Sequence, residues 1–142
     1  MTSNLDRFKA IDDAYNARDW NAYSALLDDG FRGWMQGKAR SEGKPEHVSA
    51  AKQFCVVSAD NRVHNESYIV ALHDGDWTCT IARFTGTLTS ALRTEEGKTV
   101  EPDGQEFDTT LAVMARWISG KIVEEYEFFN DAVILRQLEG KK

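Results

Sequence analysis

The sequence is short of the residues that punctuate, cross-link or ligate. Two prolines in 142 residues leave almost no rigid linker material, and no low-complexity tract or internal repeat divides the chain. One domain spanning 1–142 is expected, long enough to bury a core. The two cysteines, Cys55 and Cys79, cannot build a disulfide framework. Both read as buried free thiols, Cys55 within the apolar run Phe54-Cys55-Val56-Val57. His47, His64 and His73 share no ligand spacing with each other or with cysteine, so no metal site is expected. No phosphate loop, dinucleotide fingerprint or nucleophile elbow occurs, and no cofactor is expected.

Positive charge is in deficit too. The net charge is −6 and Lys and Arg are scattered, which offers nucleic acid no basic track. No apolar run approaches membrane-spanning length. The start, Met1-Thr2-Ser3-Asn4-Leu5-Asp6, lacks the basic and then apolar run of a secretory signal, so a cytoplasmic location is expected.

Aromatics, in contrast, are plentiful: four Trp, four Tyr and seven Phe. Their arrangement follows a clear order of periods. Ser3 can cap a helix carrying Leu5, Phe8, Ile11 and Tyr15 at helical spacing. Asp19 caps a second helix with Trp20, Tyr23, Leu26 and Leu27 on one face, ended by Asp28-Asp29-Gly30. A first strand is expected over 31–36 and a loop over 37–44. Pro45 suits the first turn of a third helix, with Val48, Ala51, Phe54 and Cys55 facing inward.

Beyond Asn61 the period becomes two. Strands are expected over 62–73, 77–92, 105–118 and 121–129, with a turn at Asp74-Gly75-Asp76 and another at Ser119-Gly120. The segment 93–104 is charged and holds Gly97 and Pro102, so it reads as a mobile hairpin tip. A short closing helix is expected over 132–138. Three helices followed by long antiparallel strands give an α+β fold, a curved sheet wrapped around the helices to form a cone with an internal pocket.

Several pieces carry a family resemblance in the correct order. They are Arg18-Asp19-Trp20 through Leu26-Leu27-Asp28-Asp29-Gly30-Phe31, Asp74-Gly75-Asp76-Trp77 followed by Phe84-Thr85-Gly86-Thr87, Gly120-Lys121-Ile122-Val123-Glu124-Glu125-Tyr126, and Arg136-Gln137-Leu138-Glu139-Gly140. Together they resemble the SnoaL-like polyketide cyclases of the nuclear-transport-factor-two-like (ketosteroid-isomerase-like) superfamily. The resemblance implies the cone fold; it does not by itself assign a reaction, because this fold hosts many functions. Two departures stand out. The cyclases carry an acidic general acid/base after the last strand, where the ungapped match puts Asn130, with Asp131 beside it. Their common Gly-Thr-His run is Gly86-Thr87-Leu88 in this chain.

Candidate site residues follow from these patterns. Asp131 is a candidate acid/base, weighed against a role in the first turn of the closing helix with Asn130 as its cap. Glu124 shares strand parity with Ile122, Tyr126 and Phe128, and would be a desolvated acid/base if that face lined the pocket. The alternative pairs it with Arg116 on the neighbouring strand. Tyr15, Trp20, Trp34, Met35, Tyr68 and Tyr126, with Asn130, are candidates to line a ligand pocket. Apolar residues of both parities, as in Leu111-Ala112-Val113-Met114, predict a homodimer through the outer sheet face. The functional expectation is a pocket for a small apolar or aromatic organic molecule, with cofactor-independent isomerisation or cyclisation as its chemistry. A non-catalytic ligand-binding or dimeric interaction module is the alternative.

Overall fold

The computed structural model describes residues 2–35 and 41–140. Helix α1 (Asn4–Ala17) begins in a capping box: Ser3 Oγ accepts from the Asp6 amide at 3.1 Å and the Asp6 carboxylate accepts from the Ser3 amide at 3.2 Å. Helix α2 (Trp20–Ala25) is capped by Asp19, whose carboxylate accepts from the Ala22 amide at 3.1 Å. Helix α3 (Lys44–Val57) carries Pro45 in its first turn, where a missing amide costs nothing. Leu27, expected at the end of α2, instead opens β1 (Leu27–Met35), and Asp28-Asp29-Gly30 lies within that strand. Of the expected strand 31–36 and loop 37–44, positions 36–40 lie outside the described residues, and Ser41–Glu42 form a short β2.

The expected strand 62–73 is two strands, β3 (Arg62–His64) and β4 (Val70–Asp74). The break is anchored by Asn65, whose amide donates to Asp13 Oδ1 at 2.7 Å and to the Lys9 carbonyl at 3.1 Å. β5 (Trp77–Thr87) follows a turn with Gly75 at φ +59°. β6 (Leu92–Arg93) and β7 (Thr99–Val100) form a separate small hairpin. β8 (Glu106–Ile118) and β9 (Lys121–Phe128) are joined through Ser119 and Gly120, both at positive φ. Helix α4 (Asp131–Leu138) closes the chain.

The main sheet runs β2-β1-β9-β8-β5-β3, with β4 also paired to β5; every pair is antiparallel except β1 with β9, which is parallel. Strand alternation sorts the residues. Along β8, Phe107, Val113, Ala115 and Trp117 are buried, and along β5 the inward set is Thr78, Thr80, Ala82 and Phe84. Thr78 is tolerated there because its hydroxyl accepts from Trp117 Nε1 at 2.9 Å.

Two apolar clusters fill the cone. One joins α1 and α2 (Phe8, Ile11, Tyr23) to Leu27, Phe31 and Ile122 on β1 and β9. The other joins Val63, Phe84 and Phe107 to Ile134 and Leu138 of α4. Gly86 sits at a close approach in this second region: a Cβ there would lie 2.4 Å from Ser58 Oγ and 2.7 Å from the Phe107 ring. Among the described residues no helix is long and apolar enough to cross a membrane.

Candidate active site

The helices and the concave face of the sheet enclose a cavity of about 350 Å³. Most of its wall is apolar, with Phe8, Tyr15, Phe54, Phe84 and Phe129 among the lining side chains. Its polar groups are Asp12, Tyr23, Glu42, His47, Glu125 and Glu127. They come from α1, α2, β2, α3 and β9, so only the folded chain brings them together.

Asp12 follows Phe8 by four positions and precedes Tyr15 by three, which places it on the inward stripe of α1. Tyr68 donates to Asp12 Oδ2 at 2.7 Å. Burial pushes the Asp12 carboxyl up to about 7. The Tyr68 hydrogen bond and the Lys9 charge oppose that rise, while Glu125 and Asp13 add to it.

His47 lies one turn before Ala51 on the inner stripe of α3 and is 6% exposed. Its Nε2 stands 2.9 Å from Tyr23 Oη and 3.2 Å from Glu125 Oε2; its Nδ1 is 3.7 Å from Glu42 Oε2. Burial disfavours the imidazolium, yet Glu125 and Glu42 beside it, with the charge of Glu127, carry its pKa up to about 10. His47 is therefore positive at neutral pH, and its Nε2–H then donates to the Tyr23 oxygen. Gly33 makes room for the ring, since a Cβ there would meet Phe31 at 3.1 Å and His47 Nδ1 at 3.4 Å.

Glu127 Oε1 is 3.9 Å from His47 Nε2. Burial and the charge of Glu125 push Glu127 up to about 7, against the pull of His47. Glu125 is 5% exposed, and its Oε2 lies 3.2 Å from His47 Nε2 without a directed hydrogen bond. Burial also drives the Tyr23 hydroxyl pKa well above the ordinary tyrosine value.

The sequence-predicted residues divide between two faces. Tyr15 and Met35 line the cavity. Tyr68 reaches it through its bond to Asp12, and Trp20 packs edge-on against Tyr15 at 5.8 Å between ring centroids. Trp34 and Tyr126 instead stack on each other at 4.8 Å on the outer face. Glu124 shares that face, accepting from Arg116 Nε at 2.5 Å and from Tyr126 Oη at 3.3 Å. Its predicted parity is corrected by a β-bulge. The register slips between Arg116–Glu124 and Trp117–Ile122, leaving Val123 as the extra residue. Ile122 stays inward, and beyond the bulge Glu125 and Glu127 take the inward positions. Asn130 caps α4, its side-chain oxygen accepting from the Val133 amide at 3.0 Å, and Asp131 is exposed in that helix's first turn. Neither belongs to the cavity wall.

Sequence reasoning missed Asp12, Glu42, His47, Glu125 and Glu127. Two of them left a signal: Asp12 interrupts the apolar stripe of α1, and His47 shares the stripe of Ala51 and Phe54 on α3. Among the described residues, His47, Glu125 and Glu127 could also gather around a metal ion, their ligand atoms lying within 4.8 Å of one another.

No functionally curated protein matches the chain. Solved structures match it closely in shape. IdmH of Streptomyces antibioticus, assigned as a polyketide cyclase, superposes with a TM-score of 0.80 at 19% identity, covering 96% of this chain and 98% of that one. AclR of Streptomyces galilaeus, assigned as a hydroxylase, gives 0.80 at 16% identity, covering 96% and 81%. A ketosteroid-isomerase-like protein of Catenulispora acidiphila, solved in complex with trimethylamine, gives 0.74 at 14% identity, covering 96% and 93%. The family model for SnoaL-like polyketide cyclases matches residues 6–138. With that match over nearly its whole length, the chain belongs to the SnoaL-like polyketide cyclase family.

Proposed function

We propose that the cavity is the active site of a cofactor-independent enzyme that moves protons on a small, largely apolar organic molecule, in an isomerisation or a ring closure. The observation that carries this reading is the pair Asp12 and Glu127, two half-buried carboxyls lining the cavity, both pushed up to about 7 beside a wall of aromatic rings. A carboxyl with that pKa is divided between its two forms at neutral pH, the condition under which a group serves best as general acid and base. In this reading Asp12, steadied by Tyr68, takes a proton from carbon beside a carbonyl. His47, held positive by Glu42 and Glu125, stabilises the oxyanion that forms. Glu127 returns a proton to the product. Ring closure also suits the polyketide cyclase name of the family and of IdmH.

A test needs no knowledge of the natural substrate. The ring opening of 5-nitrobenzisoxazole reports proton abstraction by any desolvated base that admits a small aromatic. Its rate should rise with pH through about 7, and Asp12→Asn with Glu127→Gln should remove about 10²-fold or more of it. A rate no greater than that of free carboxylate buffer would sink the reading, and would favour the alternative, a binding module without catalysis. That alternative draws its support from Asn130, which stands where the family acid is expected.

We further propose a homodimer through the outer sheet face. Trp34, Tyr126 and Trp77 form a continuous aromatic patch there, and Ile118 is 50% exposed. The adjoining Arg116–Glu124 pair offers both charge signs to a second copy of the same face. The free thiols Cys55 and Cys79 suit a reducing, cytoplasmic setting.

A further inference from the structure

The charges around the cavity do not balance. Among the described residues lining it, Asp12, Glu125 and Glu127 face one cationic side chain, His47. Glu42 also lines the cavity but has a further partner of its own and is left out of the count. Glu125 Oε2 is buried with no hydrogen-bond donor directed at it. Uncompensated carboxylates away from bulk water are costly, and when the cavity holds no ligand the cluster lowers that cost by retaining protons. Among the described residues the rest of the wall lacks positive charge but is rich in rings: Phe8, Tyr15, Phe54, Phe84 and Phe129. The negative quadrupole of an aromatic face attracts an ammonium group and is indifferent to a neutral one.

We infer that the molecule this cavity takes is an organic cation, an amine or quaternary ammonium on an apolar or aromatic body, with its charged head among Asp12, Glu125 and Glu127 and its body against the rings. The inference rests on the reading of the cavity as a ligand site and narrows its substrate class. At about 350 Å³ the cavity lies near the lower end of the range for small-molecule sites, so the body is a small one. A carboxylate or phosphate ester is the wrong chemistry, because it would add negative charge where three carboxyls already compete.

The test is isothermal titration with three benzyl ligands that differ in the charge of the head group. Benzyltrimethylammonium carries a charge that does not titrate, neopentylbenzene is its neutral carbon isostere, and phenylacetate is anionic. At pH 8 the cation should bind at least about tenfold tighter than the neutral isostere. Asp12→Asn with Glu127→Gln should bring cation and isostere within about threefold of each other. Should that variant fail to fold, the cation-to-isostere ratio of the unmutated protein decides the matter. Equal binding of cation and isostere, or tighter binding of phenylacetate, overturns the cationic class and leaves the cavity as a ligand site. Binding of none of the three overturns both.

Discussion

Asp12→Asn is the substitution that asks most directly whether the cavity holds its carboxyls under strain. The amide keeps the size of the side chain, and its oxygen can still accept from Tyr68, now 2.7 Å from Asp12 Oδ2. What it removes is the titration. In the folded protein Asp12 is pushed from 3.8 up to about 7, chiefly by burial. The folded state therefore binds this proton more tightly than the unfolded chain, and stability is lost as pH rises between about 4 and about 7. A gap of about three pH units, at about 1.4 kcal/mol each, sets a ceiling of about 4 kcal/mol on that loss. Water drawn into the cavity as the carboxylate forms screens part of the cost, and about 2 kcal/mol is the expected share. Asp12→Asn should thus be more stable than the parent by about 2 kcal/mol at pH 8, and close to it at pH 4. Urea unfolding of both proteins across that range gives the difference directly. A difference that stays flat with pH, or one that reverses sign, would refute the reasoning, because only a raised carboxyl produces this slope.

Gly86→Ala should cost about 1–3 kcal/mol, since its Cβ would fall 2.4 Å from Ser58 Oγ, and thermal unfolding measures it. Light scattering at tens of micromolar should give a dimer, and Tyr126→Glu, which puts a charge between Trp34 and Trp77, should give a monomer without loss of fold. Asp131→Asn should change stability by under about 1 kcal/mol and leave the 5-nitrobenzisoxazole rate alone, as befits an exposed first-turn carboxylate outside the cavity. Amides of residues 94–97, at the exposed tip of the β6–β7 hairpin, should exchange fastest among the internal segments by mass spectrometry.

Local chemistry explains how much of this fold could be read from the chain. Ser3, Asp19 and Asn130 are caps because their side-chain oxygens reach amides three residues on, a rule contained within four residues of sequence. The parity of β8 was not legible, since Leu111-Ala112-Val113-Met114 is apolar on both faces; only the fold shows Phe107, Val113, Ala115 and Trp117 to be the buried set. The site was harder because its residues break the rules that identify elements. Asp12 is a charge on an apolar stripe, and pattern reading turns charges outward. His47 looked isolated because its partners Glu42, Glu125 and Glu127 come from other elements. Glu125 and Glu127 were hidden by one residue: without the bulge at Val123, Ile122 would carry Glu124 inward with it. A bulge leaves almost no mark on a sequence of alternating Glu and aromatic residues, because either register gives each face some of both.

The two departures from the family pattern gain meaning from where the charges went. Leu88, where the family resemblance sets a histidine, is 2% exposed and packs within the Val63–Phe84–Phe107 cluster. Asn130, in place of the family's acid, spends its side chain on capping α4. Both changes strip ionisable groups from the α4 end of the cone. Asp12, Glu125 and Glu127 stand at the other end, where carboxylates without full partners cost stability at neutral pH. Replacement by apolar residues of similar size is often neutral or stabilising at such positions, so nothing in folding itself calls for them. In the proposed reading, the three carboxyls and the imidazole at the α1–α3–β9 end serve what enters the cavity and not what holds it together.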